Sequence, residues 1–267
     1  MSKYRRIVAV VAAAMTSVAA AAADLPTFKA PPPAPPMVGG FSWTGAYFGA
    51  VAGYGWADSR GEFSIASASL AAAPPIIPVL NAAGSQAIST RGGMFGGELG
   101  YNWQISNFAV LGLEGDIEGG HVSGSHVIGG TVPNFGIPFT IGQSLSADWR
   151  ASARARAGFA PMERMLLYVT GGPALAQIRY SSAYWDPVPE VENASFSSVR
   201  PGFAVGGGVE YAIGAGWSLK AEYLYSQFSA AKGGGTSLLA DGTTASVSHS
   251  TGTFQESAAR VGLNYHF

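Results

Sequence analysis

No cysteine occurs anywhere in the 267 residues, which excludes a disulfide framework and any thiolate metal site. Charge is scarce as well. Only 12% of residues are Asp, Glu, Lys or Arg, about half the share usual in soluble domains, and so uncharged a surface fits contact with lipid. Long apolar runs are also missing: beyond residue 23 no uninterrupted stretch reaches the roughly 20 residues that a spanning helix needs. If the chain crosses a membrane, it crosses with strands.

The apolar N-terminus has a separate reading. Lys3, Arg5 and Arg6 precede an apolar segment over 7–20, and Ala21-Ala22-Ala23 stands before Asp24. This is the pattern of a cleaved secretory signal, expected over 1–23. Removing it takes the 15 bases to 12 against 16 acids, a net charge of −4, so the mature chain has no electrostatic footprint for nucleic acid. The segment 24–42 contains PPPAPP; proline cannot join a ladder, and the segment reads as an extended periplasmic leader.

What the chain has in quantity is glycine, 37 residues, and aromatics at 12%, a composition of strands and turns. The final stretch, TFQESAARVGLNYHF, places Val261, Leu263, Tyr265 and Phe267 on one parity and Glu256, Arg260, Asn264 and His266 on the other. Alternate side chains of a strand face opposite ways, so the chain ends on a two-faced strand with a terminal aromatic. Seven more such segments precede it. The eight strands are expected over 43–57, 92–104, 108–120, 145–160, 165–180, 201–213, 217–228 and 254–267. The connections alternate between long (58–91, 121–144, 181–200, 229–253) and short (105–107, 161–164, 214–216). That is the layout of an all-β, eight-stranded antiparallel transmembrane β-barrel with short periplasmic turns and long extracellular loops. The barrel domain is expected over 43–267, in the bacterial outer membrane.

Parity sorts the side chains. Phe48, Tyr54, Trp56, Tyr101, Trp103, Trp149, Tyr211, Trp217, Tyr223 and Tyr225 fall on the apolar face, with Leu145 assigned beside Trp149. The opposite face carries many of the glycines and the charges Glu98, Glu114, Asp116, Glu118, Asp148, Arg150, Arg154, Arg156, Glu210, Lys220, Glu222, Glu256 and Arg260. In 165–180 the run Gly171-Gly172-Pro173 leaves the parity ambiguous. A soluble lipocalin-type barrel would invert this arrangement, with aromatics inside. The membrane version is favoured by sparse outward charge, by Tyr and Trp near strand ends, and by the terminal Phe267, which a soluble barrel does not need.

The segments WTGAYFGAVAGYGW, GGELGYNWQ, VLGLEGDIEGG, LLYVTGGPALA, VGGGVEYAIGAGWSLKAEYLY and RVGLNYHF occur in this order from Trp43 to Phe267. Together they resemble the small outer-membrane β-barrels of alphaproteobacteria, the porin-like or major outer-membrane antigens with OmpA/OmpX-type architecture. The resemblance implies insertion by the outer-membrane assembly machinery, with Leu263, Tyr265 and Phe267 as the assembly signal. Ala46, Ala50 and Ala52 depart from the pattern by putting small residues on the lipid face. Members of the group are described variously as porins, structural proteins and haemin binders.

An eight-stranded barrel is barely wide enough inside for its own side chains, so the inward charges are expected to pair into a salt-bridged plug. Unpaired, each would cost several kcal/mol. The alternative is a narrow ion or water path. Glu114, Asp116 and Glu118, spaced by two, could form a carboxylate ladder for a cation, but three arginines on the next strand are better partners. His121, His126 and His249 fall in long connections and could meet a haem iron; His266 reads as a polar rim residue. Serines are plentiful and none is marked as activated. The sequence is therefore read as a non-enzymatic structural barrel of the cell envelope with a surface-interaction role and with no cofactor, metal or catalytic residue. Its expected partners are outer-membrane lipid, lipopolysaccharide and the assembly machinery. A narrow porin-like channel and haem capture by the loop histidines stand as alternatives. The loop segments ASLAAAPPIIPVL and TVPNFGIPFTIG are apolar yet expected outside; they either fold over the mouth, extend the strands as hairpins, or make surface contacts.

Overall fold

The computed structural model describes residues 41–60, 62–66, 76–132, 135–187, 191–238 and 244–267. The expected signal and almost all of the proline-rich leader lie outside these residues, as does most of ASLAAAPPIIPVL. No described helix is long and apolar enough to cross a membrane.

Eight long strands form the wall: β1 (Gly45–Arg60), β3 (Ala87–Gln104), β4 (Ala109–Thr131), β5 (Pro138–Met162), β6 (Met165–Trp185), β7 (Val191–Gly214), β8 (Trp217–Phe228) and β11 (Phe254–His266). Three short strands, β2 (Glu62–Ala66), β9 (Lys232–Leu238) and β10 (Thr244–Ser250), and a nine-residue helix α1 (Ile76–Gly84) complete the described elements. Antiparallel pairing runs from β1 through β3, β4, β5, β6, β7 and β8 to β11, and β11 pairs back with β1. At the level of the belt this ring of pairings leaves no open edge and satisfies the backbone groups, which is what a lipid environment demands.

All eight strands foreseen from alternation are present, and several run further on the side of the long connections. β4 and β5 continue to Thr131 and from Pro138, so most of the second connection is a hairpin standing above the belt. The first and fourth connections also contain structure. β2 pairs with β10 and β10 with β9, extending the wall upward. The helix α1 touches β2 and β4. The periplasmic turns are tight; at the β7–β8 turn Ala215 has φ 51° between Gly214 at φ 114° and Gly216 at φ 79°, so two of three left-handed positions carry the residue that adopts them freely.

Inward parity is odd on β1 and even on β3, β4, β6, β7, β8 and β11. On β6 the parity holds straight through Gly171-Gly172-Pro173, which resolves the ambiguity read from sequence: Pro173 faces outward and Ala174 inward. On β5 it does not hold. Ala147 pairs with Ile178 and Arg150 with Ala176, so Asp148 and Trp149 together oppose the single residue Gln177. Such a bulge shifts the alternation by one. Leu145, assigned to the outer face by simple parity, is therefore buried inside with Ala147.

The interior is stacked in layers. At the periplasmic end Trp43, wholly buried, packs with Val110, Ala160, Leu166 and Ala212, and its indole N–H donates to the Glu163 carbonyl across the mouth at 3.1 Å. Polar and charged residues fill the middle. Above them Ile88, Leu145, Ile178, Tyr180, Phe228 and Phe254 form an apolar layer. At the top, Leu80 of α1 packs with Val132, Phe139, Ile141, Tyr184 and Val247, while Gln143 donates its side-chain N–H to the Gly84 carbonyl at 2.7 Å. The helix and the upper parts of β4 and β5 thus pack together inside the upper mouth.

Candidate functional site

The middle layer brings together twelve of the thirteen charges placed on the inner face by parity. Glu114, on β4, lies at its centre. It receives Arg154 from β5, Lys220 from β8 at 3.2 Å, and the Tyr47 hydroxyl from β1 at 2.7 Å. Lys220 also pairs with Glu98. Arg154 reaches Asp116 at 2.7 Å, and the Ser152 hydroxyl donates to the same carboxylate at 2.6 Å. One step higher, Arg260 bridges Glu222 at 3.0 Å, Glu118 at 2.9 Å and Asp116 at 3.4 Å. Arg150 pairs with Glu256 at the upper border.

Glu210 holds the lower border. Its carboxylate receives Arg156, the Ser218 hydroxyl at 2.5 Å and the Asn264 amide at 3.2 Å, and lies 3.1 Å from His266 Nε2. His266, foreseen as a rim residue, is buried here and stacks on Tyr47 with centroids 5.2 Å apart. Its even position on β11 puts it on the charged face, which was the available signal.

Asp148 is the thirteenth charge, and it is not inside. The β5 bulge turns it outward, where it pairs with Arg179 at 3.0 Å and lies 3.8 Å from His121, both well exposed. Alternation alone cannot register an inserted residue.

Two aromatic residues belong to the interior site and were not singled out. The Tyr47 and Tyr168 hydroxyls donate to Glu114 and Glu222, and the Arg156 guanidinium lies over the Tyr168 ring. Both rings lie on inward glycines. A Cβ at Gly100 would stand 2.5 Å from the Tyr47 ring, and one at Gly208 would stand 2.7 Å from the Tyr168 hydroxyl. This close approach explains why glycine shares the charged face: Gly100 is the β3 partner of Tyr47 and Gly208 the β7 partner of Tyr168, so each large polar ring lies where the neighbouring strand gives up its own side chain.

The network fills the bore. A void of about 20 Å³ remains between the charged and apolar layers, bounded by Asp116, Glu118, Arg150, Arg154, Phe228 and Arg260, room for about one water. No group of three or more His, Asp or Glu side chains among the described residues is placed to hold a metal ion. The histidines do not converge. His121 and His126 are five apart on β4 and so face opposite sides of the wall, His121 exposed and His126 inward, while His249 is buried against Tyr180 at 5.7 Å. One iron cannot meet all three.

On the outer face Phe48, Tyr54, Trp56, Tyr101, Trp103, Tyr211, Trp217 and Tyr223 are exposed, with Trp149, in the bulge, and Tyr225 half-buried. Leu263 and Phe267 are also exposed, Tyr265 less so. The last strand is anchored at its end: the Phe267 N–H donates to the Ala46 carbonyl at 3.0 Å, and its ring meets Phe48 and Tyr265 at 5.8 and 5.4 Å.

Comparison with known proteins gives the same assignment. Residues 8–267 match the family described as outer membrane protein beta-barrel domain. The chain is 34% identical over 256 residues to the 31 kDa outer-membrane immunogenic protein of Brucella melitensis, covering 96% of each. It is 30% identical over 136 residues to the 22 kDa outer membrane protein of Rhizobium leguminosarum, covering 50% of this chain and 53% of that one. Among solved structures it is similar to the outer membrane protease OmpT of Escherichia coli, at 10% identity and a TM-score of 0.45 over 85% of this chain and 98% of that one. The chain belongs to the outer membrane protein β-barrel domain family and is a protein of the bacterial outer membrane.

Proposed function

We propose that the protein is a closed structural barrel of the outer membrane, supporting envelope integrity and presenting its hairpins at the cell surface. The observation that carries this reading is the filled interior: a paired charge layer lies between the Trp43 layer below and the Ile88, Phe228 and Phe254 layer above. A conducting path needs a continuous wet lumen, and wide lumens belong to barrels with many more strands. An apolar layer excludes ions even where side chains fluctuate. The Brucella relative's description as immunogenic supports surface exposure of the hairpins. Outer-membrane lipid is the medium of the exposed aromatic belt. Leu263, Tyr265 and Phe267 form the stretch read by the assembly machinery.

A strain lacking the protein tests the reading. It predicts increased entry of a large hydrophobic dye and leakage of periplasmic enzymes, both restored by the wild-type chain. An intact envelope that loses uptake of a small solute would favour the channel instead.

A further inference from the structure

Above the apolar belt, β4 to β7 present an outward wall with a regular pattern. Ser125 on β4 pairs in register with Ser144 on β5, Ser144 with Ser181 on β6, and Ser181 with Ser195 on β7. All four take the outward parity, which the β5 bulge makes common to the four strands. The result is a straight row of hydroxyls, one per strand, at spacings of about 4.8 Å. The Ser144 and Ser181 hydroxyls lie 2.8 Å apart. In the next row up, Gly142 and Ala183 are small and Asn193 supplies an amide. Their smallness leaves a shallow cavity of about 430 Å³ over the sheet, within the usual range for ligand sites. One row above that, the Trp185 ring is 59% exposed on the same face.

We propose that this wall binds the oligosaccharide of the outer-leaflet glycolipid standing beside the barrel. Three features select a sugar. The hydroxyl row and Asn193 offer donors and acceptors together and carry no charge, so they match a ligand that is itself hydroxylated. The exposed indole offers an apolar face with a polar edge, a platform for the C–H face of a pyranose. The position selects the source: on β6 the row stands six residues above Leu175, an exposed member of the apolar belt, so headgroups of the outer leaflet are its neighbours. The inference rests on the hairpins facing outward and not on closure of the bore, so conduction through the barrel would leave it standing.

The test uses protein purified from outer membranes in mild detergent and titrated calorimetrically with three probes: purified lipopolysaccharide, its released oligosaccharide, and its lipid portion. The oligosaccharide is expected to bind. The double variant Ser144→Ala/Ser195→Ala and the variant Trp185→Ala should each bind it roughly tenfold more weakly. These side chains are exposed, and unchanged heat-modifiable gel mobility checks that the barrel is intact. A third variant, Ala183→Glu, fills the cavity from the outer face and should abolish binding. The proposal is overturned if the lipid portion binds and the oligosaccharide does not, if none of the three variants alters the titration, or if the wall proves to be a contact between two copies of the chain.

Discussion

The Arg156 guanidinium carbon lies 3.7 Å above the centre of the Tyr168 ring, and the hydroxyl of that ring donates to Glu222 at 3.1 Å. Because Arg156 also pairs with Glu210, Tyr168 ties the lower border of the charge layer to its upper half. The face and the edge of one ring do different work, and two substitutions separate them. Tyr168→Phe keeps the face and frees one carboxylate oxygen, with an expected cost of about 1–3 kcal/mol. Tyr168→Leu also loses the desolvated cation–π contact and should cost about 2 kcal/mol more. Urea unfolding of the barrel in lipid vesicles, followed by tryptophan fluorescence, reads both; equal losses would mean that the ring face contributes nothing.

The bulge on β5 predicts a contrast between two acids that look alike in sequence. Glu222→Gln breaks a buried bridge to Arg260 and should destabilise by about 3–5 kcal/mol. Asp148→Asn loses a partly exposed pair with Arg179 and should cost no more than about 1 kcal/mol. The same unfolding assay distinguishes them. A large loss for Asp148→Asn would place that carboxylate in the bore, as unbroken alternation implies.

Glycines on opposite faces give a second matched pair. A Cβ at Gly100 would meet the Tyr47 ring at 2.5 Å and the Leu113 carbonyl at 2.6 Å, whereas one at Gly97 has nothing nearer than the Gly49 carbonyl at 3.7 Å. Gly100→Ala is expected to overpack the bore and cost about 1–3 kcal/mol. Gly97→Ala, on the lipid side, should leave stability unchanged or slightly raised, because alanine restricts the unfolded chain. A comparable loss at both positions would argue against Tyr47 lying where it bonds Glu114.

Period-two alternation made the wall legible from the chain alone, because lipid on one side and a narrow polar bore on the other leave each side chain little choice. Glu98, Glu114, Arg154 and Arg260 were placed inside on that basis, and the connection lengths indicated which end faces out. The failures have one physical origin: alternation is a local signal. It carries no trace of the extra residue at Asp148 and Trp149, and so missed the inward turn of Leu145. It could not tell that Trp43, at the edge of the first strand, closes the periplasmic mouth, or that residues 76–84 form a helix over the other end. Both depend on contacts between distant segments. Tyr47 and His266 were on the charged face by parity; an aromatic ring carries a strong expectation of lipid contact, and for Tyr47 the inward glycines beside it were a further sign to the contrary.

Closure of the bore is the claim on which the functional reading depends. It is tested most directly by single-channel recording of the protein, purified from outer membranes and inserted in a planar bilayer, with insertion verified independently by protease protection. The layered interior predicts a silent bilayer across physiological voltages. It also predicts silence for Trp43→Ala, because the charge layer and the Ile88, Phe228 and Phe254 layer stay in place. Discrete, reproducible openings of the wild-type protein, altered in conductance by Arg154→Ala or Glu114→Ala, would contradict the account and make the paired charges the lining of a channel.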